Sequence, residues 1–202
     1  MSSSRPAGGT VPVGPEASLY NIANALTCLR LVLVPVFVVT LFVGGGADTF
    51  WRFVAFAVFA VAALTDRLDG QLARSRGLVT RFGALADPIA DKALTGAALI
   101  GLSILGVVGW WVTVVILGRE VGITVLRFVV IRRGVIPASR GGKAKTVAQT
   151  VAIGLFLLPL PLLFPDALVP VLAVQWTAMA VALVLTVLTG VDYVIKALRP
   201  GS

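Results

Sequence analysis

The chain has 202 residues, 58% of them hydrophobic, with a mean hydropathy of +1.00 and only 13% charged side chains; this excludes an ordinary soluble domain and reads as an integral membrane protein. Its formal charge of +8 points, in so apolar a chain, to basic loops at an anionic cytoplasmic membrane surface and not to nucleic acid. With no histidine and one cysteine, Cys28, it cannot build a His-based triad, an ordinary zinc site or an internal disulfide, so any metal chemistry must rest on carboxylates.

Residues 1–20 are rich in Ser, Pro and Gly and lack helical periodicity, which predicts a flexible N-terminal tail ahead of a single transmembrane domain, 21–199. The first apolar run, 25–43, follows the polar Asn21 and Asn24 and has no small-residue cleavage site near its end, so it reads as a retained span. Further runs follow at 53–72, 84–107, 110–131, 147–164 and 169–195, which makes six predicted transmembrane helices in an all-α protein. Trp110 and Trp111 are expected at the outer interfacial belt.

Orientation follows from the basic residues, since Lys and Arg near span ends hold a connection on the cytoplasmic side. Arg74, Arg76 and Arg81 lie between the second and third runs; Arg132, Arg133, Arg140, Lys143 and Lys145 lie between the fourth and fifth; Lys196 and Arg199 follow the sixth. Both termini are therefore expected in the cytoplasm. The opposite connections carry only Asp48, Arg52 and Asp166 as charges.

Of seven aspartates, four fall within the 26 residues from Asp66 to Asp91 and flank one basic loop. Asp66 and Asp69 stand three apart and Asp87 and Asp91 four apart, so each pair shares one side of a helix. Carboxylates near hydrocarbon cost roughly 2.5–3.5 kcal/mol each on insertion scales, and four together repel one another. Arg67, Arg74 and Lys92 offer partial neutralisation, while a hard divalent cation suits an all-oxygen set and is commonly shared with a substrate's phosphates. Gly70, Ala73 and Gly83 leave room for a ligand near the backbone, and Arg74 offers a planar fork of donors. Pro88 either starts a helix or lies within one, and in the first case Asp87 would cap it.

The pattern Asp66-x-x-Asp69-Gly70-x-x-Ala73-Arg74, eight residues, Gly83, three residues, Asp87, three residues, Asp91 resembles the signature of the CDP-alcohol phosphatidyltransferases at all eight fixed positions. The resemblance implies that family's six-helix membrane fold and transfer of a phosphatidyl group from CDP-diacylglycerol to an alcohol with release of CMP. It also implies magnesium or manganese as cofactor, and the charge and spacing of the four carboxylates suggest two such ions bridging a diphosphate. By position, Asp66, Asp69 and Asp87 would ligate metal, and Asp91, beside them in the metal set, would be the general base. Gly70, Ala73, Arg74 and Gly83, with Asp66 and Asp69, would hold the CDP-diacylglycerol.

Flanking stretches resemble the phosphatidylglycerophosphate synthases within that family: Asn21-Ile22-x-Asn24-x-Leu26-Thr27-x-x-Arg30, Gly118-Arg119-Glu120 with Leu126-Arg127, and Gly142-Lys143-Ala144-Lys145-Thr146. They imply glycerol 3-phosphate as acceptor, with Arg119, Arg127, Lys143, Lys145, Thr27 and Arg30 as candidates for its phosphate. Glu120 and Arg127, seven apart, also fit an intramembrane ion pair that leaves Arg119 turned toward the pocket, and Lys143 and Lys145 fit simple cytoplasmic anchors. Other acceptors in the family are phosphatidylglycerol, as in cardiolipin synthesis, and inositol phosphate, and the aspartate motif alone does not separate them. A cation carrier is disfavoured, because 53–64 and 94–107 carry no charge along a path. The likeness and the lack of an organelle-type presequence point to a bacterial plasma membrane, with the site near its cytoplasmic side. Oligomeric state stays open, a homodimer through apolar helix faces included.

Overall fold

The computed structural model describes residues 22–76, 81–130 and 140–198, and among these the secondary structure is helical throughout. The long helices are α1 (Ile22–Phe42), α2 (Thr49–Arg76), α3 (Arg81–Ile104), α4 (Trp110–Val130) and α5 (Arg140–Leu157), then, after a one-turn α6 (Leu160–Leu163), α7 (Leu168–Leu198). Each predicted apolar run lies mainly in one long helix, but the helix ends depart from the hydropathy boundaries in both directions. A run of apolar residues marks only the part of a helix that avoids water, whereas caps and prolines set its ends. Thus α2 starts before the predicted residue 53, because the carboxylate of Asp48 accepts the Trp51 N–H at 3.0 Å and caps it. Helix α5 begins at Arg140 and stops at Leu157, short of the predicted 164, where Pro159 and Pro161 break the hydrogen-bond ladder.

Between α1 and α2 the chain reverses over Gly44, Gly45 and Gly46, with φ of 64°, 67° and 73° that only glycine adopts cheaply. A second tight reversal joins α3 to α4 through Gly106. These turns gather the end of α1, the start of α2, the end of α3 and the start of α4 at one end of the bundle. The far ends of α2 and α3, which carry the aspartates, therefore lie at the other. Trp110 and Trp111 are exposed at the start of α4, at the end opposite the aspartates.

Helix α1 packs on α2 and α3, α7 on α4 and α5, and α2 and α5 join the halves. The core is apolar, with Phe37, Leu41, Leu99, Leu102, Ile116, Ile153 and Met179 buried. Small residues bring helices close: a Cβ on Gly101 would lie 2.5 Å from Leu41 on α1. Hydroxyls buried in this environment bond their own helix, as Thr40, Thr65 and Thr186 do to carbonyls one turn back. Others tie helices together: Ser103 to Thr113 at 2.7 Å across α3 and α4, and Gln149 to Thr186 at 2.8 Å across α5 and α7.

The outward faces of the bundle are also apolar, with Val39, Val61, Leu64, Val114, Val169, Val184 and Leu188 among many large exposed side chains, an exterior that suits lipid and not water. By length and composition, two helical stretches among the described residues, Cys28–Gly46 and Pro165–Ala197, are long and apolar enough to cross a membrane. Thr49–Thr65 and Lys92–Ile104 are shorter apolar helical stretches.

Arg52 departs from its expected place as a loop charge. It lies inside α2, 6% exposed, and its guanidinium donates to the carbonyls of Leu157 at 3.0 Å, Phe156 at 2.6 Å and Gly46 at 3.4 Å. The first two are carbonyls that end α5 without intrahelical partners, and they form the negative pole of that helix.

Candidate functional site

Asp66 and Asp69 lie in the second half of α2, and Asp87 and Asp91 in the first half of α3. Both pairs sit in continuous helix, so the backbone register keeps the members of each pair on one side of their helix. Pro88 falls inside α3, seven residues past its start, so Asp87 is not an N-cap and that alternative for it is removed. The side chains of Asp66, Asp69, Gly70, Ala73, Arg74, Gly83, Asp87 and Asp91 lie outside the described residues, as do those of Thr27 and Arg127.

The residues around the acidic positions are described. Thr65, next to Asp66, is buried and donates to the Val61 carbonyl at 2.7 Å; Ala90, next to Asp91, is fully buried. One helical turn beyond Asp91, between α3, α4 and α5, opens a cavity of about 210 Å3 whose largely apolar wall carries several polar side chains. Lys92 and Thr95 of α3, Glu120 of α4 and Lys145, Thr146 and Gln149 of α5 supply its polar lining. The Lys92 ammonium donates to the Thr124 hydroxyl, which itself donates to the Glu120 carbonyl at 2.7 Å. The Lys145 ammonium, almost wholly buried, donates to Glu120 Oε1. Two lysines from different helices thus converge on one turn of α4.

Arg119 is oriented differently from the expectation that it turns toward the pocket. It donates to Glu120 Oε1 at 3.1 Å and to the Thr189 hydroxyl of α7 at 2.9 Å, and it lines the groove between α4 and α7. Its stem passes over Gly190, where a Cβ would come within 3.1 Å of Arg119 Cγ. Glu120 is engaged by Arg119 and Lys145, while the pair with Arg127 that the seven-residue spacing suggested lies outside the described residues. Lys143 is exposed, and Arg30 is fully buried in α1. Lys92 and Glu120 were absent from the expected acceptor set; the adjacency of Lys92 to Asp91 was the available signal for the first.

An apolar groove of about 320 Å3 runs between α2 and α5, lined by Phe56, Phe59, Ala63 and Leu64 on one side and by Thr150, Val151, Gly154 and Leu158 on the other. It reaches to within two residues of Asp66, and Thr150 lines both the groove and the cavity between α3, α4 and α5. The region thus joins a lipid-like groove, a small cationic cavity and the helix ends that carry four carboxylates.

An all-helical bundle with an apolar exterior and such a region at one end defines a membrane enzyme acting where a lipid meets a charged group. The chain belongs to the CDP-alcohol phosphatidyltransferase family, whose sequence profile matches residues 20–188, and it is a phosphatidyltransferase. It is 58% identical over 190 residues to a "Probable phosphatidylglycerophosphate synthase" of Mycobacterium tuberculosis, covering 94% of this chain and 88% of that one. It is 35% identical over 192 residues to a "CDP-diacylglycerol--glycerol-3-phosphate 3-phosphatidyltransferase" of Bacillus subtilis, covering 88% and 95%. A protein of that same name from Escherichia coli is 39% identical over 144 residues, covering 68% and 77%. Members of the family generally depend on a divalent metal ion.

Proposed function

We propose that this protein transfers the phosphatidyl group of CDP-diacylglycerol to glycerol 3-phosphate, giving phosphatidylglycerophosphate and CMP. The names of the three relatives favour this acceptor, and one observation in the molecule carries it: the cavity one turn from Asp91 presents two lysine ammoniums. At about 210 Å3 it lies below the ~300–1,000 Å3 typical of drug-sized ligands, so it suits a small polar molecule. A phosphate monoester carries a charge of about −1.5 to −2 at pH 7, which offsets ammoniums held in a low dielectric.

In this reading the α2–α5 groove takes the diacylglycerol part of the donor, with its mouth at Leu64 leading to the acidic positions. Asp66, Asp69, Gly70, Ala73, Arg74 and Gly83 hold the cytidine diphosphate. The donor set of Asp66, Asp69, Asp87 and Asp91 is all oxygen and fits magnesium or manganese, as one ion or two. A divalent ion held by these carboxylates would supply positive charge to the diphosphate and to the leaving CMP. Asp91 takes the proton of the acceptor hydroxyl, which the neighbouring cavity brings within its reach. Lys92 and Lys145 hold the acceptor phosphate, with Lys143, Arg127, Thr27 and Arg30 as further candidates nearer the cytoplasm. The unit 21–199 would span a bacterial inner membrane six times, with both termini and the reacting groups on the cytoplasmic side and residues 1–20 as a tail. A homodimer through apolar helix faces is compatible with the exposed valines and leucines.

The test is CMP release by purified protein given CDP-diacylglycerol and magnesium, with glycerol 3-phosphate, inositol 1-phosphate or phosphatidylglycerol in turn. Release with glycerol 3-phosphate that stops on chelation supports the reading. Release only with one of the other acceptors overturns it.

A further inference from the structure

The arrangement around Glu120 exceeds what a structural ion pair requires. One half-buried carboxylate needs one cation, yet Glu120 Oε1 receives both the Arg119 guanidinium and the Lys145 ammonium, each with little exposed side-chain surface. Arg119 is anchored from outside the cavity by Thr189 and by the room that Gly190 leaves for its stem. Lys92 reaches the same turn of α4, and its hydrogen-bond partner is the neutral Thr124 hydroxyl. Among the described residues, three cations, Lys92, Lys145 and Arg119, gather around the single carboxylate of Glu120, and cations held close together in a low-dielectric site are stabilised by a further anion.

We propose that Glu120 is a positioning residue for the acceptor phosphate. It draws the Lys145 ammonium from α5 across to α4, opposite Lys92, so that the two lysines hold a phosphomonoester between them. Arg119, braced on α7, offsets the carboxylate's own repulsion of that phosphate, so Lys145 keeps its attraction for an anion. The relay Thr189, Arg119, Glu120, Lys145 spans α7, α4 and α5, and it gives Arg119 a part in acceptor binding without contact to the acceptor. This rests on the acceptor reading above and adds to it that the charge of the cavity selects a phosphomonoester over an uncharged alcohol.

The experiment is steady-state kinetics in lipid nanodiscs on the wild type, Glu120→Ala, Glu120→Gln and Glu120→Asp, varying each substrate separately. Glu120→Ala is expected to raise KM for glycerol 3-phosphate about tenfold or more while KM for CDP-diacylglycerol stays within about twofold. Glu120→Gln, which keeps an acceptor for Lys145 but no charge, falls between, and Glu120→Asp, which keeps the charge, recovers part of the loss. Should the alanine variant fail to fold, the near-isosteric glutamine variant decides. An unchanged KM for glycerol 3-phosphate, or a parallel rise for both substrates, overturns the positioning role. If the wild type uses inositol 1-phosphate instead, the acceptor reading fails while the same split measured with that phosphomonoester upholds Glu120; a wild type that prefers an unphosphorylated alcohol overturns both.

Discussion

Arg52→Met tests whether a buried arginine at the end remote from the aspartates holds the bundle together. The guanidinium donates to the Phe156 and Leu157 carbonyls at 2.6 and 3.0 Å, joining the start of α2 to the end of α5. Methionine fills similar space with no donor, so two carbonyls at the negative pole of a helix lose charge-assisted bonds. A buried group left unsatisfied costs about 1–3 kcal/mol, which gives roughly 2–6 kcal/mol for the two. Two effects lower that figure. Methionine removes the cost of burying a guanidinium, and the neighbouring cavity of about 350 Å3, lined by Gln175 and Trp176 among others, has room for water to reach the carbonyls. A net loss of about 2–3 kcal/mol remains, which for a chain of this size lowers the unfolding midpoint by roughly 4–12 °C. The assay is thermal unfolding in detergent followed by tryptophan fluorescence, with CMP release measured well below the transition. Arg52→Lys, which keeps the charge and one donor direction, should lose less. A midpoint for Arg52→Met within about 1 °C of wild type would show that these contacts do not hold α2 to α5.

Two further outcomes follow from the site. Asp91→Asn should leave calorimetrically measured magnesium or manganese binding largely intact while turnover falls by about 10²–10⁴, the range for loss of a general base; unchanged turnover removes Asp91 from that role. Gly154→Leu should obstruct the α2–α5 groove, because even a Cβ there would sit 3.3 Å from the Phe56 ring. It is expected to raise KM for CDP-diacylglycerol several-fold and to leave KM for glycerol 3-phosphate unchanged; the reverse pattern would assign the groove to something other than the donor's acyl chains.

Much of this was legible along the chain. The apolar runs gave the order of the long helices, because apolar surroundings favour continuous helix and that demand is written in consecutive residues, although only two helical stretches among the described residues are long and apolar enough to cross a membrane. The spacing of Asp66, Asp69, Asp87 and Asp91 fixed their register for the same reason, since a helix converts sequence separation into angle. Pro88 was ambiguous, because a proline suits either a first turn or a helix already under way, and only the start of α3 at Arg81 decided it. Arg52 read as a loop charge because its compensating groups are backbone carbonyls some hundred residues away, to which hydropathy is blind.

By itself, then, the sequence determined what is local: the helical class, the places of the long helices, the acidic register and the family. The tertiary structure alone decided the partners of the charges. Glu120 and Lys145 are 25 residues apart, and Arg119 and Thr189 are 70 apart. Their meeting depends on how α4, α5 and α7 pack, which small residues such as Gly190 permit by letting a long side chain cross between helices. Which cations line the cavity between α3, α4 and α5 and which lines the groove between α4 and α7 follows from that packing, because an ion pair is set by distance through space and not by spacing along the chain.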